Sequence, residues 1–392
     1  MIVFPPPPPS GDIDPRQPEP LESALPFPAG HDGRPRGAPP AACAVPRRPG
    51  RAMLIRARAP LRLGLAGGGT DIASYADVHG GLVLNATIDR YAYAVLRTLD
   101  EPRLSFVAGD RREREDCPPG ARLPLGGRLD LHKAVYNEIV PSHNGGRPLA
   151  VELCTFCDAP AGSGLGSSST LVVAMVKAFV ELLNLPLDDY AIASLAYKVE
   201  RIDCGLQGGH QDQYSATFGG FHFMGFGRGR GGVKSPPAKN RVRCGRKDSA
   251  LLYYTGVSRE SARIIADQDG GIRAGAAHSL EAMHGLKREA VLMKECLLRG
   301  DFEGIVRSMQ AGWESKKLSA RSVSNARIDE IFEACLAAGA RAGKVSGAGG
   351  GGFMMFFVPP ERRMDVVRAL EGFGGEISNC NFTKHGTQAW RL

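Results

Sequence analysis

The chain lacks any run approaching the roughly 20 consecutive apolar residues that a membrane-crossing helix needs, and no hydrophobic signal segment opens it. A soluble, cytoplasmic protein is therefore expected. Its nine cysteines are odd in number and irregularly spaced, which fits reduced thiols better than a disulfide framework. The one close pair, Cys154 and Cys157, has no second pair or nearby histidines, so no zinc site is expected there. Basic residues interleaved with aromatics, which would trace a nucleic-acid backbone, are also absent. The formal net charge of +8 is spread among acidic residues and suits an anionic small-molecule partner better than nucleic acid or a membrane.

Core-forming residues are scarce in residues 1–52, which carry 15 of the 28 prolines in the 392-residue chain. That stretch is expected to be a disordered or polyproline II arm. Met53 is a candidate natural start, and a proline-rich docking tail is the alternative. From Leu54 onward, "LIRARAP", "LVLNAT", "YAYAVL" and "LSFVA" alternate like strands, "LHKAVYNEIV" has helical spacing, and "LAVELCTF" fits a buried strand. Ser168 to Leu183 places apolar residues at helical steps, and "LDDYAIASLAYKVERI" predicts a second helix. "GGFHFMGF" and "ALLYYTG" predict further strands, and Gly275–Arg299 and Asp301–Leu318 predict long amphipathic helices. The last part reads helix, strand, glycine loop, strand, helix. An α+β protein of two domains, 53–225 and 226–392, is expected, with no internal repeat of fixed period.

Two phosphate-binding templates are missing. The only Gly-Lys pair, Gly343-Lys344, precedes Val345 and lacks the first glycine of a Walker motif, and "GSGLGSSS" does not match G-x-G-x-x-G. What is present is a set of three glycine clusters, "LRLGLAGGGTD", "PAGSGLGSSST" and "KVSGAGGGGF". A glycine-rich turn before a helix is either a plain capped turn or a cradle that aims backbone N–H groups at an anion. Six small residues at 347–352 are costly unless a backbone must come close to something.

These clusters, in order and joined by "GGHQDQYSATFGG", resemble the motifs of the GHMP kinases, the family of galactokinase, homoserine kinase, mevalonate kinase and phosphomevalonate kinase. The resemblance spans Met53 to Leu392 and is strongest to members acting on D-glycero-D-manno-heptose 7-phosphate. It implies a two-domain kinase with the active site in the interdomain cleft. ATP, Mg²⁺ and a sugar phosphate are the implied partners, with the product a 1,7-bisphosphate for surface glycans, and the protein a monomer or homodimer. By position it assigns Asp212 as catalytic base and Arg62 as its cationic neighbour, suited to charge developing in phosphoryl transfer.

Pro160, Gly162, Ser163, Gly164, Leu165, Gly166, Ser167, Ser168 and Ser169 fall at the nucleotide-binding loop. Ser168 and Glu200 fall at the magnesium positions, although spacing alone leaves open which of Ser167, Ser168 and Ser169 faces the metal. Gly69, Thr70 and Asp71 lie at the sugar site, and Gly347, Gly349 and Gly350 on the floor where donor and acceptor meet. His210, Lys316 and Lys317 are candidates for the acceptor's phosphate. "GGGTD" departs from the Glu-His-containing galactokinase signature, which argues against galactose. Another sugar 1-kinase of the family and a non-catalytic sugar sensor remain the alternatives.

Overall fold

The computed structural model describes residues 52–228, 230–234, 250–257 and 261–392. The expectation of a disordered arm at 1–52 lies almost wholly outside the described residues. β1 (Leu54–Ala66) and β2 (Gly81–Thr98) form a long antiparallel pair, flanking α1 (Ala73–His79). The two strands expected within 81–98 are one continuous strand, because the polar residues between them fall at a register shift that keeps the ladder going. β3 (Leu104–Ala108), β4 (Glu113–Cys117), α2 (Asp130–His143) and β5 (Val151–Cys157) follow. Next come α3 (Ser167–Leu183), α4 (Asp189–Tyr197), α5 (Gln211–Phe218), β6 (Phe221–Gly227) and β7 (Arg230–Lys234).

A second, four-stranded sheet holds β8 (Ala250–Tyr254), β9 (Ala342–Val345), β10 (Phe353–Phe357) and β11 (Glu376–Asn379). It packs with α6 (Ser261–Arg273), α7 (Ala277–Arg299), α8 (Phe302–Ser319), α9 (Ala326–Ala337) and α10 (Arg363–Glu371). The first sheet has the order β12-β1-β2-β5-β3-β4, with β6 and β7 extending from β2. Its last member, β12 (Gln388–Arg391), comes from the far end of the chain and pairs with β1.

The core explains these placements. α3 turns Val172, Met175, Val176 and Phe179 inward, all fully buried, at the i, i+3, i+4, i+7 spacing of one helical face. They pack with Ile55, Ala57, Ala94, Leu96 and Leu153 of the sheet beneath. This fixes the N-terminus of α3 above the ends of β1 and β5. A second cluster joins Leu61, Leu63 and Leu165 to Leu252, Met293, Met309 and Phe353, and so ties the first sheet to the second.

The helix expected over "LDDYAIASLAYKVERI" begins on Asp188, whose carboxylate accepts from Ala191 N at 2.8 Å. It then widens into a π turn over Lys198–Asp203. A single π turn inside a helix shifts every following side chain and is frequent at functional sites. Here it carries Glu200 and Arg201.

Candidate active site

Arg62 projects from β1 and is almost wholly buried. Its Nε and Nη2 both meet Asp212 Oδ1, at 2.7 and 2.6 Å, and its Nη1 donates to Gly164 O at 2.7 Å. One guanidinium therefore ties the first glycine motif, the second glycine loop and the start of α5 together, a use suited to its fixed fork of donors. Asp212 keeps 17% of its side chain exposed, so its carboxylate remains open toward the cleft.

The second glycine loop has φ of +71° at Gly162, +83° at Gly164 and +77° at Gly166, values that favour glycine. Gly164 touches the third loop: its carbonyl accepts from Ser346 Oγ at 2.8 Å, and Phe353 N donates to Ser163 O at 2.9 Å. A β-carbon on Gly347 would come within 2.7 Å of Gly164 Cα. The two loops thus meet backbone to backbone, which accounts for the costly run of glycines.

Gly166 is the N-cap of α3, and no side chain caps the helix. The serines at its start do other work, so the first-turn amides are free to meet an anion. Ser167 Oγ donates weakly to Pro160 O at 3.5 Å. Ser169 is buried and accepts from Gln213 Nε2 and Arg201 Nη2, both at 3.2 Å. Ser168 alone of the three is exposed, and its hydroxyl donates to Glu200 Oε1 at 2.8 Å.

Glu200 is fully buried. Gln213 Nε2 donates to its Oε2 at 2.6 Å and Arg201 Nη1 lies 3.3 Å from its Oε1. A buried carboxylate persists only when paired in this way. Beside the α3 N-terminus lies a cavity of about 390 Å³, bordered by Ser167, Ser168, Leu129, His132, Thr155 and Leu206. Burial pushes the pKa of His132 down to about 4, so its imidazole is neutral there.

A second cavity opens on the other side of Asp212. Arg62, Gly69, Asp71, Lys316, Lys344 and Gly347 line it. Asp71 is buried and held by Gln211, which donates its backbone N to Oδ2 at 3.0 Å and its Nε2 to Oδ1 at 2.9 Å. Lys316 is buried and Lys344 partly so; desolvation lowers their pKa values to about 8 and about 7, opposed at Lys316 by the Asp71 carboxylate and reinforced by Arg62 at both and by Lys316 at Lys344.

Several expected site residues lie elsewhere. Thr70 is consumed in the fold: its hydroxyl donates toward Gly67 O and Leu82 O and accepts from Leu82 N. Gly349 packs on Val323, and the Gly350 amide donates to Val323 O at 2.7 Å. The ring of His210 is stacked on Tyr197 at 3.7 Å and faces Phe226 at 5.5 Å, with its pKa lowered by burial. Lys317 pairs with Glu314 at 2.8 Å and is not among the cavity residues. Leu165 packs in the core, while its carbonyl accepts from Arg62 N at 3.2 Å. Sequence reasoning had missed Arg201, Gln211, Gln213 and Lys344. Gln211 and Gln213 flank Asp212 in "HQDQ", and Lys344 opens "KVSG"; nothing in their spacing distinguishes them from surface residues.

Comparison with known proteins gives the family. Residues 130–220 match the GHMP kinases N-terminal domain and residues 293–375 the GHMP kinases C-terminal domain. The chain belongs to the GHMP kinase family, and it is an ATP-dependent sugar kinase of that family. It is 43% identical to the D-glycero-alpha-D-manno-heptose 7-phosphate kinase of Campylobacter jejuni, over 86% of this chain and 99% of that protein. Among solved structures, a D-glycero-D-manno-heptose 1-phosphate kinase from Bacteroides thetaiotaomicron is 40% identical with a TM-score of 0.73. It aligns with 86% of this chain and 99% of its own. A sugar kinase from Campylobacter jejuni, 43% identical over 86% of this chain and 98% of its own, also gives 0.73.

Proposed function

We propose that this kinase transfers the γ-phosphoryl group of ATP to the anomeric hydroxyl of D-glycero-D-manno-heptose 7-phosphate, giving the 1,7-bisphosphate for GDP-heptose and surface polysaccharide synthesis. The observation that carries the reading is the Arg62–Asp212 pair, set between an uncapped helix N-terminus on one side and an acidic and cationic cavity on the other. One relative is named for a heptose 7-phosphate and another for a 1-phosphate; a 7-phosphate acceptor phosphorylated at C1 accommodates both names.

Asp212 accepts the proton of the C1 hydroxyl, whose oxygen bonds to the γ-phosphorus as the bridge to the β-phosphate breaks and ADP leaves. Arg62 holds the Asp212 carboxylate in place and offsets the charge that develops on the transferring group. Asp71 accepts hydrogen bonds from sugar hydroxyls, with Gln211 fixing its rotamer. The first-turn amides of α3 and the loop from Gly162 hold the nucleotide phosphates.

Ser168 and Glu200 offer two adjacent hard oxygens, and among the described residues no cluster of three or more metal-binding side chains exists. This donor set fits Mg²⁺, which keeps several waters and takes few protein ligands. When bound, the ion would neutralise phosphate charge; Gln213 and Arg201 orient the carboxylate toward it.

Asp212→Asn is expected to lower kcat by about 10²- to 10⁴-fold, the range for loss of a general base, while ATP binding measured by calorimetry persists. Full activity in that variant would refute the assignment of the base.

A further inference from the structure

The acceptor cavity contains more positive charge than the chemistry at C1 requires. Arg62 is matched by Asp212, and Asp71 is satisfied by Gln211. Lys316 and Lys344 have no such match: among the described residues no carboxylate lies within salt-bridge distance of either. Each ammonium instead makes one hydrogen bond to a backbone carbonyl. Lys316 Nζ donates to Gly68 O at 3.0 Å and Lys344 Nζ to Leu65 O at 3.3 Å.

They reach the same strip of the first glycine motif from two different elements, the end of α8 and β9. Both line the cavity. An ammonium has three donors, so two on each remain for a ligand. Taking like charges out of water is costly; Asp71 offsets part of that cost at Lys316, and an anion with several acceptor oxygens would offset it at both lysines. Lowered pKa values at both groups fit the same picture. Gly69 contributes to the fit: with φ +105°, its missing β-carbon would stand 3.2 Å from Lys316 Nζ.

We infer that Lys316 and Lys344 form a dianion subsite that grips the acceptor's own phosphate, and that selection of phosphorylated over free sugar resides in this pair. The inference rests on the proposed acceptor. It adds Lys344, and it assigns the pair to substrate choice rather than to the transferred phosphoryl group.

The test uses the full-length enzyme and its Lys316→Met and Lys344→Met variants, comparing kcat/KM for heptose 7-phosphate with that for unphosphorylated heptose. Losing one charge-assisted contact is expected to shrink the ratio of the two by about 10- to 100-fold per variant. Methionine keeps the apolar length and removes a buried charge, so the melting temperature is expected to hold or rise; if a methionine variant does not fold, the corresponding Lys→Gln variant supplies the ratio. A ratio equal to that of the wild type, with both sugars losing in proportion, would place the lysines on the transferred phosphoryl group and overturn the inference. A wild-type enzyme that does not discriminate between the two sugars would instead overturn the acceptor assignment, and the inference with it.

Discussion

The lysines of the acceptor cavity carry a pH signature. With pKa values near 7 for Lys344 and near 8 for Lys316, facing Arg62, Asp71 and Asp212, both lose charge as pH rises through that range. A sugar phosphate becomes a dianion above about pH 6. The profile of kcat/KM for the acceptor is thus expected to peak between about pH 6 and 7 and to fall above that as Lys344 loses its proton, and in Lys344→Met the alkaline limb should begin about one unit higher, at the Lys316 value. A flat alkaline limb in the wild type would contradict this. The same groups act on stability with a definite sign. Their native pKa values lie below the unfolded value of about 10.5, so the unfolded chain binds more protons between about pH 7 and 10.5, and their contribution to stability rises with pH there.

At the scale of elements, the meeting of the glycine loops before α3 and after β9 sets the site. Gly347 has φ +75° and no room beside Gly164. Gly347→Ala is expected to cost about 1–3 kcal/mol through backbone strain and displacement of the loop, and to weaken ATP binding as the loop before α3 shifts. Denaturant unfolding and nucleotide titration check the two effects separately.

The helix over Ser168–Leu183 was legible because its buried face repeats at 3.6 residues, and the third glycine cluster because strands flank it. The π turn after α4 was not legible, since one extra residue in a turn leaves no mark in hydrophobic spacing. Nor was the choice among Ser167, Ser168 and Ser169, which depends on Glu200 and Gln213 arriving from later in the chain. Helix α6 escaped because Gly270 and Gly271 stand inside it, and paired glycines read as a break rather than as helix.

Across the whole molecule, long-range closure joins the two ends of the described chain. β12 pairs with β1 from Ile55↔Arg391 to Arg58↔Gln388. Arg58 donates to Gln388 Oε1 at 3.2 and 3.0 Å, and its guanidinium lies over the rings of Tyr91 and Trp390. Ending the chain after Thr387 removes that strand and leaves one edge of β1 unpaired. The truncated protein is expected to melt several degrees lower, each kcal/mol lost being worth roughly 2 °C or more for a domain of this size; an unchanged melting temperature would show that β12 contributes nothing to the fold. No sequence signal pointed to this pairing, which spans more than 300 residues of chain. The stacking of His210 was not legible for a related reason, since its partners Tyr197 and Phe226 come from separate elements that meet it only in the folded protein.

The central claim, transfer to C1 of a heptose 7-phosphate, is tested most directly by phosphorus NMR of the product formed by the purified protein with ATP, Mg²⁺ and that sugar. The account predicts ADP together with a bisphosphate whose new resonance couples to the anomeric proton, and far slower turnover with free heptose, galactose or fucose. A new phosphate at any other carbon, or turnover of an unphosphorylated hexose alone, would contradict it.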